Sequence, residues 1–170
     1  ALRYVSTEIP HIPVTAEGLD KKNLELISTT NWQPYTWSVN NVALAEILHT
    51  ALAYWQGGQT EKAYQLWESG LIESMYLGAS PGGFEQLLFQ DAIRGELYRD
   101  FADPVGMAGR TLVEGLFGIQ PDALKNTLTI QPGLPQSWNQ ASLEIPDVSF
   151  AFERKNNTDS YQITPHFGTK

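Results

Sequence analysis

The sequence has no cysteine, few basic residues and no long apolar run, and each absence excludes a class of protein. Without cysteine there is no disulfide and no zinc–thiolate site, although this does not distinguish the cytosol from the periplasm. Eleven Lys and Arg stand against nineteen Asp and Glu, and a net charge of −8 argues against nucleic acid and anionic membranes as partners. No run reaches the roughly 18 apolar residues of a membrane-spanning helix, so no membrane span is expected.

The rest of the composition is that of a globular protein. Of the 170 residues, 42% are hydrophobic and 18% are charged, which is enough apolar material for a sizeable core. The three histidines are isolated from one another in the sequence, so no metal and no cofactor is expected. His49 lies between apolar positions of a predicted helix, which favours a structural role for it.

The stretch Asp103–Trp138 changes from a helical to an extended pattern, and the rest of the chain is organised around it. Asp103 is a predicted N-cap, and Pro104 follows where the first helical turn tolerates a missing N–H. Apolar residues then recur every three or four positions, and Gly118 can end the helix in a left-handed conformation. The apolar positions are Val105, Ala108, Leu112, Val113, Leu116 and Phe117.

Strands are predicted downstream of this helix. Leu128 and Ile130 alternate with polar residues, and Pro132 and Gly133 then break the pattern. Lys155–Ser160 is the predicted tip of a hairpin. The predicted strands are Thr127–Gln131, Ser142–Ile145, Val148–Arg154 and Tyr161–Thr164.

Upstream, two amphipathic helices form a predicted αα-hairpin. The first covers Val42–Trp55, and the second runs from Thr60 to near Gly78, with two glycines between them. The hairpin is also compatible with a tetratricopeptide-like repeat, but such arrays need about three units and no second copy is present. Residues 1–33 are predicted to be mainly loop, with a strand around Tyr4–Ser6 and a helical turn near Lys21–Leu26.

An aromatic stretch precedes the first helix of the hairpin. Trp32, Tyr35 and Trp37 fall within six positions among amide and hydroxyl side chains, including Asn40. Sugar rings have an apolar C–H face and a rim of hydroxyls, and this combination of residue types suits both. The stretch is therefore a candidate sugar site; the alternative is that its aromatic residues anchor a loop on the core.

Two motifs in the central stretch resemble a known family group. Gly115–Ile119 (G-L-F-G-I) and Pro132–Trp138 (P-G-L-P-Q-S-W) resemble the C-terminal part of six-hairpin, or (α/α)6-toroid, glycosidases. That group includes α-L-rhamnosidases, maltose and cellobiose phosphorylases and uncharacterised glycoside hydrolases. In it, the last inner helix leads through a strand and a P-x-L-P-x-x-W stretch into a β-sandwich. The resemblance covers roughly residues 31–152.

The resemblance implies an α+β chain, with toroid helical hairpins in residues 1–120 followed by antiparallel β-sandwich strands in 121–170. The remaining hairpins would belong to an N-terminal part of the same enzyme, in the same polypeptide or a second chain. The chain is thus expected to be one piece of a longer protein, and export to the periplasm or outside the cell is favoured.

The resemblance also implies an active site facing the N-terminal ends of the inner helices. Glu85 stands where rhamnosidases carry a catalytic base, although its surroundings depart from their pattern, and Asp103 is a second catalytic candidate. Phe84 joins Trp32, Tyr35, Trp37 and Asn40 as a substrate-binding candidate. The proton donor would come from an earlier hairpin, outside this chain.

The predicted function is therefore metal-free, carboxylate-based hydrolysis of glycosidic bonds. Phosphorolysis is disfavoured because this acidic segment supplies no obvious basic phosphate pocket. Two alternatives remain: a non-catalytic carbohydrate-binding or scaffolding module of the same fold, and a helical protein-interaction module.

Overall fold

The computed structural model describes residues 1–21, 23–31, 42–77 and 102–166. Within these ranges the helices are α1 (Leu2–Glu8), α2 (Leu44–Gln56), α3 (Thr60–Ile72) and α4 (Ala102–Arg110). Two π-helical stretches, Glu73–Leu77 and Thr111–Leu116, directly continue α3 and α4. The strands are β1 (His11–Pro13), β2 (Glu25–Ile27), β3 (Ile119–Asp122), β4 (Thr127–Ile130), β5 (Gln140–Ile145), β6 (Val148–Lys155) and β7 (Thr158–Pro165).

The described strands form three small antiparallel sheets. β1 pairs with β2, β3 pairs with β4, and β5, β6 and β7 form a three-stranded meander. This combination of helices and antiparallel sheets confirms the α+β class predicted from the sequence. None of the helices within the described ranges is long and apolar enough to cross a membrane.

The chain divides into two compact units, Ala1–Gly133 and Leu134–Lys170. The first contains the helices and the two-stranded sheets, and the second contains the three-stranded sheet. The division falls later in the chain than the boundary predicted between residues 120 and 121, because the β3–β4 hairpin belongs to the helical unit.

The predicted αα-hairpin is confirmed, and α2 is the helix on which the first unit is built. α2 packs against both α3 and α4. Gly58 makes the tight connection to α3 possible because its φ of 71° is one that residues with a Cβ rarely adopt. The apolar side of α2 meets α4 in a cluster of Leu44, Leu48, Leu52 and Met107, with Trp67 and Ala108 against it.

Trp55, near the end of α2, joins the hairpin to the segments that follow α4. Its Nε1 donates a buried hydrogen bond to the carbonyl oxygen of Gly133, at 2.9 Å. A Cβ on Gly115 or on Gly133 would overlap the Trp55 indole, so both positions need glycine for the backbone to approach the ring. Gly118, at φ 63°, lies in the left-handed region as predicted.

The prediction of a helix from Asp103 to Gly118 is nearly correct in extent, but only the first part of the segment is α-helical. It begins at Ala102, and after Arg110 it widens into a π-helical stretch. Thr111 lies at the change, where its Oγ1 donates to the carbonyl oxygen of Met107 at 2.7 Å and accepts from Trp67 Nε1 at 3.0 Å. Such π-helical turns do not follow from a period of 3.6, so the apolar pattern could not reveal this one.

Residues 14–21, 23–24 and 28–31 lie outside helices and strands, as the predicted loop requires, but the two elements predicted for this stretch were wrong in kind. Tyr4–Ser6 lies in α1 and not in a strand, and residues 25–27 form β2 where a helical turn was predicted. The Ser6 and Thr7 hydroxyls each donate a hydrogen bond to the carbonyl oxygen four residues earlier, so both hydroxyls find an acceptor within the short helix. β2 exists because β1 pairs with it, and neither three-residue strand has a local signal of its own.

The downstream strands were predicted well, with one omission. β4, β5, β6 and β7 each overlap a predicted strand, and the hairpin tip narrows to Asn156 and Asn157. Both asparagines have positive φ, as a two-residue turn between twisted strands requires. β3 was missed because Pro121 argues against a strand; in a two-stranded sheet it is tolerated.

Candidate functional site

Most of the residues predicted to form the site lie outside the described residues. These are Trp32, Tyr35, Trp37 and Asn40 of the aromatic stretch, together with Phe84 and Glu85. Their roles stay predictions. The described chain leads into the aromatic stretch at Asn31 and resumes at Val42, directly before α2.

Asp103 is the one predicted site residue that the structure describes, and it is not an N-cap. α4 begins at Ala102, so Asp103 is already in the first helical turn, where it is exposed. A carboxylate there is favourable because it faces the positive end of the helix dipole. Its catalytic role stays a prediction.

An open cavity of about 410 Å³, here called the α2 cavity, lies between α1, the end of β2 and the first turns of α2. One part of its lining is aliphatic: Val5, Ile9, Ile27 and Ile47. The other part carries polar groups: Tyr4, Ser28, Thr29, Glu46, His49 and Thr50. An apolar surface with a few convergent polar groups is the usual composition of a small-molecule site.

Helix α2 orients two of the polar side chains that line the α2 cavity. His49 Nδ1 lies 3.0 Å from the carbonyl oxygen of Ala45, one turn earlier. Thr50 Oγ1 donates to the carbonyl oxygen of Glu46 at 2.8 Å. Both side chains are thereby held by the helix backbone, while Glu46 and His49, three residues apart, share one helix face.

A second cavity, of about 270 Å³, is lined by a polar network. Ser6 Oγ is 2.8 Å from the Tyr54 hydroxyl and accepts a hydrogen bond from Lys62 Nζ at 3.2 Å. Tyr54 is buried and Lys62 is exposed, with its ammonium 6.0 Å from the centre of the Tyr54 ring. These contacts attach α1 to α2 and α3.

His11 also lines this cavity, and both of its ring nitrogens contact other residues. Nδ1 is 2.9 Å from Glu25 Oε1, and Nε2 is 3.2 Å from the carbonyl oxygen of Val5. Both partners can only accept, so the doubly protonated imidazolium is the form that satisfies both contacts. Since Val5 belongs to α1 and Glu25 to β2, His11 connects those two elements.

Helix α1 therefore contributes to the lining of both cavities, Tyr4 and Val5 to the first and Ser6 to the second, although none of its residues is buried. Sequence reasoning missed this arrangement because it placed a strand at Tyr4–Ser6 and assigned His49 a structural role. The signal that was present is the set of hydroxyl side chains spaced along residues 4–7, but such residues are not specific to a helix.

Within the described residues, three ionisable groups have clearly shifted pKa values, and none of them lines either cavity. The side-chain hydrogen bond from Lys125 lowers the pKa of Asp122 in the turn after β3. In the second unit, the hydrogen bond from Arg154 lowers the pKa of Asp159, and burial raises the pKa of Tyr161. Two of these shifts arise from ion pairs in a turn and a hairpin and the third from burial in a sheet, so they do not mark a catalytic centre.

No family model and no curated protein sequence matches this chain.

Proposed function

We propose that this chain is the C-terminal portion of a glycoside hydrolase, which cleaves glycosidic bonds by metal-free acid–base catalysis with carboxylates. Its helices would be the last hairpins of an (α/α)6 toroid, and its second unit would contribute strands of a β-sandwich. The carbohydrate substrate would lie at the N-terminal ends of the inner helices, and the remaining N-terminal part of the enzyme would supply the proton donor.

The observation that supports this proposal most directly is the packing around Trp55. The resemblance depends on two short motifs, G-L-F-G-I at Gly115–Ile119 and P-G-L-P-Q-S-W at Pro132–Trp138. Gly115, the first residue of one motif, and Gly133, at the variable second position of the other, both lie against the Trp55 indole, and Gly133 N donates to the carbonyl oxygen of Leu116 at 3.0 Å. Two motifs that contact one another have a shared structural reason to occur together.

The order of elements is a second support. A helical hairpin is followed by a further helix, a strand pair and then an antiparallel sheet, all within one chain. A helical-repeat interaction module would continue with further hairpins, so the downstream strands disfavour that alternative.

In the proposed mechanism, Glu85 is the catalytic base or a carboxylate that binds the substrate. Trp32, Tyr35, Trp37 and Phe84 would stack on the sugar, and Asn40 would bind its hydroxyls. Asp103, exposed in the first turn of α4, would be available to the substrate from the N-terminal end of that helix. An acid and a base on opposite sides of the scissile bond are the minimum requirement of this chemistry.

The test is hydrolysis of a panel of p-nitrophenyl glycosides, including the α-L-rhamnoside, by the full-length protein. We expect Glu85→Gln to lower kcat by about 10²–10⁴, the usual contribution of a general base. Glu17→Gln is the matched control, because Glu17 is exposed in a loop and lines neither cavity. Activity should survive EDTA and should not require phosphate.

The alternative of a non-catalytic carbohydrate-binding module predicts a different result. Sugar would bind, but no p-nitrophenol would be released by the wild-type protein. If hydrolysis occurs and Glu85→Gln leaves it unchanged, Glu85 is not the base. If neither hydrolysis nor sugar binding is found, the proposal is wrong.

A further inference from the structure

We propose that the α2 cavity is a sugar-binding subsite, in which Glu46 and His49 accept hydrogen bonds from sugar hydroxyls and the Tyr4 ring contacts the C–H face. Its biological role rests on the glycoside hydrolase function proposed above. The binding itself is a separate claim that can be tested without any hydrolysis.

The first argument is the protonation pattern of His49. The carbonyl oxygen of Ala45, 3.0 Å from Nδ1, can only accept, so the neutral ring carries its proton on Nδ1. Nε2 is then an acceptor. Within the described parts of the chain Nε2 has no hydrogen-bond partner, and the side chain lines the cavity.

The second argument is that the neighbouring groups are acceptors too. The ionised Glu46 carboxylate can only accept, and it has no partner among the residues described. The Thr50 hydroxyl uses its proton on the carbonyl oxygen of Glu46, which leaves its lone pairs available. Glu46 and His49 are exposed, so water reaches these acceptors in the free protein. A ligand with several donors replaces the hydrogen bonds of that water, whereas an apolar ligand displaces the water without replacing them.

The third argument is the shape and lining of the rest of the cavity. The Tyr4 side chain is 49% exposed, while its hydroxyl is 3.3 Å from Asn31 Oδ1 and so limits how the ring can turn. Ile9 and Ile27 add aliphatic surface. A sugar offers an apolar C–H face to such a wall and hydroxyl donors to the acceptors, and about 410 Å³ lies within the usual range for small ligands.

An anionic ligand is disfavoured because Glu46 would repel it. In this proposal the structural role predicted for His49 is only part of its function: Nδ1 donates to the helix backbone, and Nε2 accepts a hydrogen bond from the ligand. The nitrogen that contacts the helix and the nitrogen that accepts from the ligand are different atoms of one imidazole ring.

The test uses NMR of the full chain with a panel of D-glucose, D-galactose, D-mannose, D-xylose and L-rhamnose, added singly. The protein has three histidines, so His→Gln variants assign each Cε1–H signal. We expect at least one sugar to shift the His49 signal saturably, while the signals of His11 and His166 stay in place. His11 is the internal control because it lies in the other cavity.

Variants then distinguish the loss of a contact with the sugar from a loss of folding. Glu46→Ala should weaken sugar binding about tenfold, since one hydrogen bond to a charged acceptor is lost. Tyr4→Ala should weaken binding by loss of the ring, whereas Tyr4→Phe, which keeps the ring, should retain most of it. Glu17→Ala removes the same charge from a loop outside the cavity and should have no effect.

The outcomes distinguish this proposal from the function above. A His49 shift without hydrolysis supports the subsite and contradicts the enzyme. Hydrolysis with no His49 shift, or sugar binding that Glu46→Ala leaves unchanged, overturns the subsite and leaves the enzyme standing. Absence of any sugar-induced shift across the panel at millimolar concentrations also overturns it.

Discussion

Trp55 and Gly133, far apart in the sequence, are joined by a buried hydrogen bond of 2.9 Å from the indole Nε1 to the carbonyl oxygen. The indole also lies edge-on to Trp67 of α3, with ring centres 6.3 Å apart and planes at 63°. One side chain thus connects both helices of the hairpin to the segment that follows β4.

The first prediction concerns that hydrogen bond. Trp55→Phe removes the donor and part of the ring, which leaves a buried carbonyl unsatisfied and a cavity behind it. We expect the free energy of unfolding to fall by about 2–4 kcal/mol, measured by urea denaturation. Tyr76→Phe, at a side chain that is 72% exposed, should change it by less than about 0.5 kcal/mol. Equal losses of unfolding free energy in the two variants would contradict the stabilising role of the Trp55–Gly133 hydrogen bond.

The second prediction compares two glycines of one continuous helical segment. A Cβ at Gly115 would overlap the Trp55 ring, whereas a Cβ at Gly109 would meet nothing within 4 Å. Gly115→Ala should therefore destabilise the fold by about 1–3 kcal/mol through overpacking. Gly109→Ala should stabilise it by about 0.5–1 kcal/mol, because glycine is a poor helix former. Thermal unfolding of both variants measures the contrast, and effects of the same sign would overturn the packing argument.

The third prediction concerns α1, which contacts α2 and α3 through the hydroxyl of Ser6. Tyr54→Phe removes the hydroxyl that meets Ser6 Oγ at 2.8 Å. We expect faster amide hydrogen exchange in residues 2–8, with α2 and α3 little changed. Tyr64→Phe is the control, since the Tyr64 hydroxyl donates to Glu68 within α3. Unchanged exchange in α1 would mean that other contacts hold the helix.

The fourth prediction is a pH dependence in the second unit. Asp159 accepts hydrogen bonds from Arg154 Nε at 2.6 Å and Nη2 at 2.8 Å, and the first cause of its lowered pKa is this pairing. The folded state therefore favours the charged carboxylate. Its stabilisation is present above the unfolded pKa of about 3.9 and is lost as the pH falls through the lower folded pKa.

Asp159→Asn should accordingly be less stable than the wild type at neutral pH, and the difference should shrink on acidification below about pH 4. Urea denaturation across this range measures it, and NMR titration of Asp159 checks the direction of its pKa shift. Glu153→Gln, which breaks the exposed Lys155 pair, should leave the Asp159 titration unchanged. A difference that grows as the pH falls would contradict the sign.

Long elements could be predicted from the sequence, and short ones could not. In α2, Ile47, Leu48 and Ala51 lie on the helix side that faces the core, and in β6, Phe150 and Phe152 alternate with exposed residues. Each of these patterns repeats often enough to identify its own period. β1 and β2 have three residues each, which is too few to distinguish a strand from a turn.

The candidate subsite shows the same limit. Glu46 and His49 could be placed on one face of a helix from their spacing, but nothing in the sequence indicated that α1 would lie opposite them. That arrangement depends on contacts such as that of Ser6 with Tyr54, two residues that lie 48 positions apart in the sequence. A pairing between distant residues leaves no periodic signal in either segment.

The sequence by itself determined the αα-hairpin, the downstream strands and the glycines at which the chain turns, because local periodicity and backbone sterics decide those features. Only the tertiary structure decided the helical state of residues 2–8, the π-helical widening after Arg110 and the cavity beside α2. These features depend on contacts between side chains of separate segments. Such contacts contribute to the free energy of folding only after the segments have packed together.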